Sequence, residues 1–162
     1  MRPQLSALLF LLAAPAGAQI AFDPATQHPV GALPDGVCFA DFDGDGDRDL
    51  AASADNRDAV VICRNDGGTL VAAGSVLPGA GSGAHRPVAG DFDGDGDMDI
   101  AVTLQNANTV RILLNSGNGT FVSGSSTSVG ADPRAIAVGD LDGDGDLDLV
   151  TSNRDGDSVS VL

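Results

Sequence analysis

Short apolar runs separated by polar turns follow one another along most of the chain. In the stretches Val60–Ile62, Val110–Ile112 and Val159–Val161 the two outer residues are apolar, whereas the middle residue varies from Val to Arg to Ser. A period of two places alternate side chains on opposite faces of a β-strand and keeps one face apolar. The 22 glycines and the recurrent Asn-Gly and Asp-Gly pairs favour tight turns between the runs. The pattern predicts an all-β chain with almost no helix after residue 18.

The pattern occurs three times. The string DFDGDGDRD at Asp41–Asp49 returns as DFDGDGDMD at Asp91–Asp99 and as DLDGDGDLD at Asp140–Asp148, so the strings start 50 and 49 residues apart. Apolar runs follow each string, and the turns that begin at Asn65 and Asn115 indicate a further strand. Each unit is therefore predicted to be a four-stranded antiparallel meander, and about 50 residues per unit is the size of one blade of a β-propeller.

The repeat divides the chain into five segments. They are a signal peptide (1–18), an N-terminal segment (19–32), blade 1 (33–82), blade 2 (83–131) and a truncated blade 3 (132–162). About two and a half blades make an incomplete ring, since propellers usually close with roughly four to eight blades. We expect the ring to be completed either by further blades beyond residue 162 or by association of copies. We favour further blades, because the sequence ends within a strand.

The first residues have the features of a secretory signal. Arg2 precedes a short apolar run, and Ala16-Gly17-Ala18 forms a small-residue cleavage site. The run is too short to span a bilayer, which needs about 20 apolar residues. The mature chain is therefore predicted to begin at Gln19, to have no membrane segment, and to be secreted, periplasmic or held at the cell surface.

The two cysteines, Cys38 and Cys63, are predicted to lie in strands separated by an intervening strand. Their Cα atoms would then be about 10 Å apart, which exceeds the reach of a disulfide. Both fit as small apolar core residues, so the sequence does not favour a bridge although export would permit one.

Negative charge is concentrated in the three repeated strings. All 23 acidic residues are Asp, 15 of them lie in these strings, and the formal net charge is −15. In a tight D-x-D-x-D-G-x-x-D loop, carboxylates at positions 1, 3, 5 and 9 can converge with the carbonyl of position 7, which suits a hard cation such as Ca²⁺. We predict one Ca²⁺ in each loop, three in all. The predicted side-chain ligands are Asp41, Asp43, Asp45 and Asp49, then Asp91, Asp93, Asp95 and Asp99, then Asp140, Asp142, Asp144 and Asp148, with the carbonyls of Asp47, Asp97 and Asp146.

Other readings of these loops are weaker. Five carboxylates in nine residues repel one another, so an empty loop should splay rather than stay compact. An EF-hand requires an acidic residue at position 12, where this chain has Ala52, Val102 and Thr151 in predicted strands. Magnesium prefers its own waters, and transition metals prefer His or Cys, which the loops lack. The acidic chain also has no basic cluster that could follow a phosphate backbone, which argues against nucleic acid as a partner.

The loops, the Leu/Ile-Ala-Val type of strand after each loop and the Asn-x-Gly-x-Gly-Thr-Phe turn resemble the FG-GAP/VCBS repeat family. These calcium-binding blades also occur in integrin α-subunit propellers. The resemblance covers residues 33–162 and implies a propeller with calcium in the loop that joins the first two strands of each blade. Leu141 replaces the Phe of the other two loops and is expected to serve as the same apolar anchor.

No residue set outside the loops points to catalysis. His28 and His85 are expected in solvated loops, and the absence of Trp and Tyr weakens the case for a sugar-stacking surface. We therefore expect a non-catalytic binding or adhesion scaffold whose partner is an extracellular protein or glycan. The alternative is that the chain is part of a larger secreted enzyme, such as a polysaccharide lyase or hydrolase, with its chemistry elsewhere.

Overall fold

The computed structural model describes residues 24–31, 33–54 and 58–162, and within these ranges it contains eleven strands and no helix. No described segment is therefore a helix that could cross a membrane. The predicted signal peptide lies outside the described residues. The strands are β1 (Pro34–Ala40), β2 (Asp49–Ala54), β3 (Ala59–Asp66), β4 (Thr69–Val76), β5 (Ala84–Gly90), β6 (Asp99–Leu104), β7 (Thr109–Asn115), β8 (Phe121–Ser128), β9 (Pro133–Gly139), β10 (Asp148–Asn153) and β11 (Ser158–Val161).

The strands form three separate antiparallel sheets in chain order. Strands β1 to β4 make the first sheet, β5 to β8 the second and β9 to β11 the third, and each strand pairs with its neighbours in sequence. The prediction of four-stranded antiparallel blades, the last of them incomplete, is confirmed. We call the three sheets blade 1, blade 2 and blade 3.

The Asp-rich strings connect the first two strands of each blade. The last residue of the first strand pairs with the ninth residue of the string in all three blades, as in the pairs Ala40–Asp49 and Gly90–Asp99. The loop is thus closed at its base by a strand pair, and its ninth residue is already part of the second strand. This common register places the three loops at the same end of their blades.

The blades pack face to face through small and branched apolar residues. Blade 1 contributes Ala51, Val60 and Ile62 to a buried cluster that Ile100 and Val102 of blade 2 complete. A second cluster joins the other face of blade 2 to blade 3. Alternation along each strand is what makes both faces available, because neighbouring side chains point to opposite sides of the sheet.

The outer face of blade 3 has no neighbour among the described residues. Val159 occupies the position that Val60 and Val110 occupy in the other blades, yet Val159 is 67% exposed whereas Val60 and Val110 are buried. Val161 is exposed in the same way, although its equivalent Ile62 is buried. Blade 3 therefore exposes an apolar face, whereas the equivalent face of each of the other two blades is covered by the next blade.

His85 is buried between the three blades, so the expectation of a solvated loop histidine was wrong. It lies in the first strand of blade 2 and is 7% exposed. Its Nε2 atom contacts the carboxylate of Asp35 in blade 1 and lies 3.0 Å from Nη1 of Arg134 in blade 3. Sequence placed His85 in a Gly/Ser-rich connector, and only the packing of the blades encloses it.

The two cysteines are free and point to opposite faces of blade 1. Cys38 pairs with Ala51 across β1 and β2, whereas Cys63 pairs with Leu50 across β2 and β3. Adjacent residues of β2 face opposite ways, so the cysteines do too. Cys38 accordingly packs against the cluster shared with blade 2, and Cys63 belongs to a cluster on the other side.

Candidate metal centres

Each loop makes its turns at two glycines with left-handed backbone conformations. Gly44 and Gly46 have φ angles of 77° and 96°, and the equivalent glycines of the other two loops have closely similar values. These conformations are open to glycine and costly for most other residues. The sharp turn at position 6 was predicted from sequence. The one at position 4 was not, although its glycine also recurs in all three strings.

The carboxylate at position 1 organises the loop by accepting two backbone hydrogen bonds. Asp41 Oδ1 accepts from the N–H of Gly44 at 2.8 Å, and Oδ2 accepts from the N–H of Gly46 at 2.9 Å. Asp91 and Asp140 accept the same pair of bonds in their loops. The two oxygens are thereby held at fixed places at the start of each loop.

The carboxylate at position 9 ties the loop to the body of the blade. Asp99 is fully buried; its Oδ2 accepts from the N–H of Phe92 at 3.0 Å, and its Oδ1 accepts from the N–H of Asn115 at 2.8 Å. Asp49 accepts the matching bonds from Phe42 and Asn65. Each carboxylate oxygen has two lone pairs, so one backbone bond per oxygen leaves acceptor capacity for a cation.

The structure brings three carboxylates together in each loop. In every group, one oxygen from each residue lies within 4.8 Å of the others. The groups are Asp41, Asp43 and Asp45 in loop 1, Asp91, Asp93 and Asp99 in loop 2, and Asp140, Asp142 and Asp148 in loop 3. Positions 1 and 3 are common to all three, while position 5 completes the group in loop 1 and position 9 in loops 2 and 3.

The remaining predicted ligands lie beside these groups. Asp95 and Asp144, at position 5, each accept a hydrogen bond from the N–H two residues on. In loop 1 the side chain at position 7 points away from the loop: Asp47 Oδ2 accepts from the N–H of Gly67 in the following turn at 3.2 Å. That direction is compatible with the sequence expectation that position 7 offers its carbonyl oxygen rather than its carboxylate.

The loops carry little compensating positive charge. Arg64 Nε lies 3.6 Å from Asp43 Oδ2, and among the described residues this is the only ion pair that a loop aspartate makes. Desolvation and the nearby carboxylates of Asp49 and Asp45 raise the pKa of Asp43. Burial raises the pKa of Asp99, although backbone N–H bonds oppose that rise. In both residues, loss of solvent and neighbouring carboxylates disfavour the charged form.

The donor set fits a calcium ion. Calcium takes six to eight oxygen ligands at about 2.4 Å, so two ligands on opposite sides of the ion lie roughly 4.8 Å apart. The carboxylate oxygens of each group satisfy that limit. The loops contain neither the His nor the Cys that zinc or copper would select.

Two features of the site were missed from sequence. The first is the partner of the anchor Phe42, whose ring is 1% exposed and meets Phe121 of blade 2 edge-on, with the centroids 5.4 Å apart. Leu141, the equivalent residue of loop 3, is 64% exposed and anchors nothing in the described chain, contrary to expectation. The second is Asn115, read from sequence only as a turn former, which is buried and bonded to two loops.

A sequence profile of the FG-GAP-like repeat family matches residues 41–102 and again residues 99–151. The first match runs from loop 1 through loop 2, and the second runs from the end of loop 2 past loop 3. Together they span well over half of the chain. A comparison with curated proteins gives no significant match.

Proposed function

The chain belongs to the FG-GAP-like repeat family, and we propose that each of its three Asp-rich loops binds one calcium ion. The protein would then be a secreted, non-catalytic scaffold whose calcium-stiffened loops help to present a binding surface to an extracellular protein or glycan. The observation that carries the proposal is the convergence of three carboxylates in each of three loops that have almost no positive partner.

The cost of these carboxylate groups supports a bound cation. Two unit charges about 5 Å apart repel by roughly 3 kcal/mol at an effective dielectric of 20, and each loop carries five acidic side chains. The loop backbone partly offsets that repulsion through the bonds to positions 1 and 9. A divalent ion between positions 1 and 3 would offset a further part of the repulsion and hold the first two strands of the blade together at this end.

Calcium-dependent stability tests the proposal. At a free calcium concentration 100 times Kd, each site adds about 2.7 kcal/mol to the free energy of unfolding, so three sites add about 8 kcal/mol. Thermal unfolding followed by far-UV circular dichroism, in calcium and in EDTA, should therefore give a large rise in Tm with calcium. An equal concentration of magnesium should give a much smaller rise. The same Tm in calcium and in EDTA would refute calcium binding.

A triple variant provides the control for specific binding. The substitutions Asp43→Asn, Asp93→Asn and Asp142→Asn remove one ligand charge per loop. The amide oxygen of each Asn can still accept the local backbone hydrogen bond that the aspartate accepts now. The variant should fold in EDTA and show little further stabilisation by calcium. If calcium raised its Tm as much as that of the unmodified protein, the ions would be binding elsewhere.

The proposed location and partner need separate tests. Export predicts that the mature protein begins at Gln19, which intact-mass measurement of protein from an exporting host will check. A retained residue 1–18 segment would contradict export. Binding to immobilised extracellular proteins and glycans, with and without EDTA, tests the scaffold role. Equal capture with and without EDTA would show that partner binding does not depend on calcium in the loops.

We also propose that another blade of this repeat type covers the outer face of blade 3. The equivalent faces of blades 1 and 2 are each covered by the next blade, whereas Val159 and Val161 are exposed. Light scattering coupled to gel filtration will measure whether a second copy supplies that blade. Val159→Asp should then convert the oligomer to a monomer, and a wild-type chain that stays monomeric at high concentration would rule out a second copy as the cover.

A further inference from the structure

The side chain of Asn115 joins the Asp-rich loops of two neighbouring blades. Asn115 ends β7 of blade 2 and is 6% exposed. Its Nδ2 atom donates to the carbonyl oxygen of Phe42 in loop 1 at 2.8 Å and to that of Met98 in loop 2 at 3.0 Å. One amide group therefore bonds to the backbone of both loops.

The bonds continue from Asn115 to a predicted ligand on each side. In loop 2, the N–H of Asn115 donates to Oδ1 of Asp99. In loop 1, the carbonyl that Asn115 contacts belongs to Phe42, whose own N–H donates to Oδ2 of Asp49 at 2.9 Å. A short series of hydrogen bonds thus connects the position-9 carboxylates of the two loops.

The turn that follows Asn115 is enclosed by the same two loops. The N–H of Gly119 donates to the carbonyl of Phe42 at 2.7 Å, which places the turn against loop 1. On the other side, a Cβ added to Gly117 would lie 2.5 Å from Oδ2 of Asp97 in loop 2. The turn therefore lies against both loops.

Asn65 is the equivalent residue of blade 1 and makes the corresponding bonds only within its own blade. Its N–H donates to Asp49 Oδ1, and its Nδ2 donates to the carbonyl of Arg48 at 3.1 Å. Among the described residues it has no bond to a loop of another blade. Nor does any bond in the described chain reach the carbonyl of Phe92 in loop 2 from blade 3.

From this arrangement we infer that Asn115 couples the calcium sites of loops 1 and 2, so that binding at one site raises the affinity of the other. The inference rests on the proposed calcium binding. An ion in loop 1 fixes the Phe42 peptide, and Asn115 then holds Asp99 and the turn in the arrangement that loop 2 needs. The second ion therefore finds part of its ordering cost already met, which is the physical basis of positive cooperativity. Among the described residues no side chain bonds to the backbone of both loop 1 and loop 3, so loop 3 serves as the reference site.

Site-resolved titration tests the coupling. The amides of Gly46, Gly96 and Gly145 report one loop each in ¹H–¹⁵N NMR spectra recorded as calcium is added. Asp43→Asn disables loop 1, and the Kd of loop 2 should then rise by about 5-fold or more, the lower end of the usual range for coupled sites. The Kd of loop 3 should not change.

The Asn115 variants assign the coupling to this side chain. In Asn115→Ala protein, Asp43→Asn should change the Kd of loop 2 by less than about 2-fold, well below the usual range for coupled sites. In Asn65→Ala protein, which is the matched control, Asp43→Asn should still raise the Kd of loop 2 by about 5-fold or more. Asn115→Ser is a second variant for the case in which the Ala protein does not fold.

The outcomes separate the inference from the proposal beneath it. If no glycine amide responds to calcium, calcium binding itself fails. If all three loops bind calcium but Asp43→Asn, as the only substitution, leaves the Kd of loop 2 unchanged, the coupling is refuted while calcium binding stands. That result does not depend on any Asn115 variant. Equal loss of coupling in the Asn65 and Asn115 variants would overturn the role of the inter-blade bond.

Discussion

The position after the first aspartate of each loop provides a graded test of blade packing. Phe42 is 1% exposed and meets Phe121 edge-on, Phe92 is half-buried, and Leu141 is 64% exposed. Truncating a buried Phe to Ala typically costs about 3–5 kcal/mol, because apolar contacts are lost and a cavity remains. An exposed side chain usually changes stability by no more than about 0.5 kcal/mol. We expect Phe42→Ala to destabilise strongly, Phe92→Ala less, and Leu141→Ala hardly at all.

Urea unfolding followed by far-UV circular dichroism will measure the series, since the chain has no Trp or Tyr for fluorescence. Free calcium must be buffered to the same value for every variant, because bound calcium adds to the apparent stability. A second set in EDTA separates packing from calcium binding. A loss from Leu141→Ala as large as that from Phe42→Ala would refute the claim that the next blade, rather than the loop itself, creates the anchor.

Three further predictions concern titratable groups. Because burial raises the folded-state pKa of Asp99 above 3.8, its stabilising contribution is present at low pH and is lost as pH rises through that raised value. In EDTA, the free energy of unfolding of the wild type should therefore fall relative to that of Asp99→Asn over this pH range, and parallel curves of stability against pH would contradict the prediction. Burial lowers the pKa of His85 below 6.5, although the nearby Asp35 carboxylate opposes this effect. At saturating calcium, the wild type should therefore lose stability relative to His85→Gln as pH falls through 6.5, and a gain in its relative stability would show that Asp35 dominates. Burial raises the pKa of the Cys38 thiol to about 12 and also raises that of Cys63. Alkylation of both thiols at pH 8 should therefore be slow until urea is added, and rapid labelling of the native protein would show that the thiols are accessible.

The strands and the loops could be predicted from sequence because the interactions that form them are local. Alternation within Val60–Ile62 and Val110–Ile112 identified strands that the structure contains. The hydrogen bonds of Asp41 to Gly44 and Gly46 span three and five residues, and the similar strings of the other two blades make the same two bonds. The periodic glycines and aspartates carried that information without reference to the rest of the chain.

The environment of each loop depended instead on what packs beside it. Leu141 and Phe42 hold the same place in the repeat, but only Phe42 has a following blade complete enough to bury it. Asn65 and Asn115 differ in the same way, since only Asn115 has a loop from a preceding blade within hydrogen-bonding distance. His85 was likewise enclosed by residues about 50 positions away on either side. A sequence repeat determines a blade because its bonds close within the unit. The contacts between blades depend on how whole sheets are placed against one another, which only the tertiary structure decides.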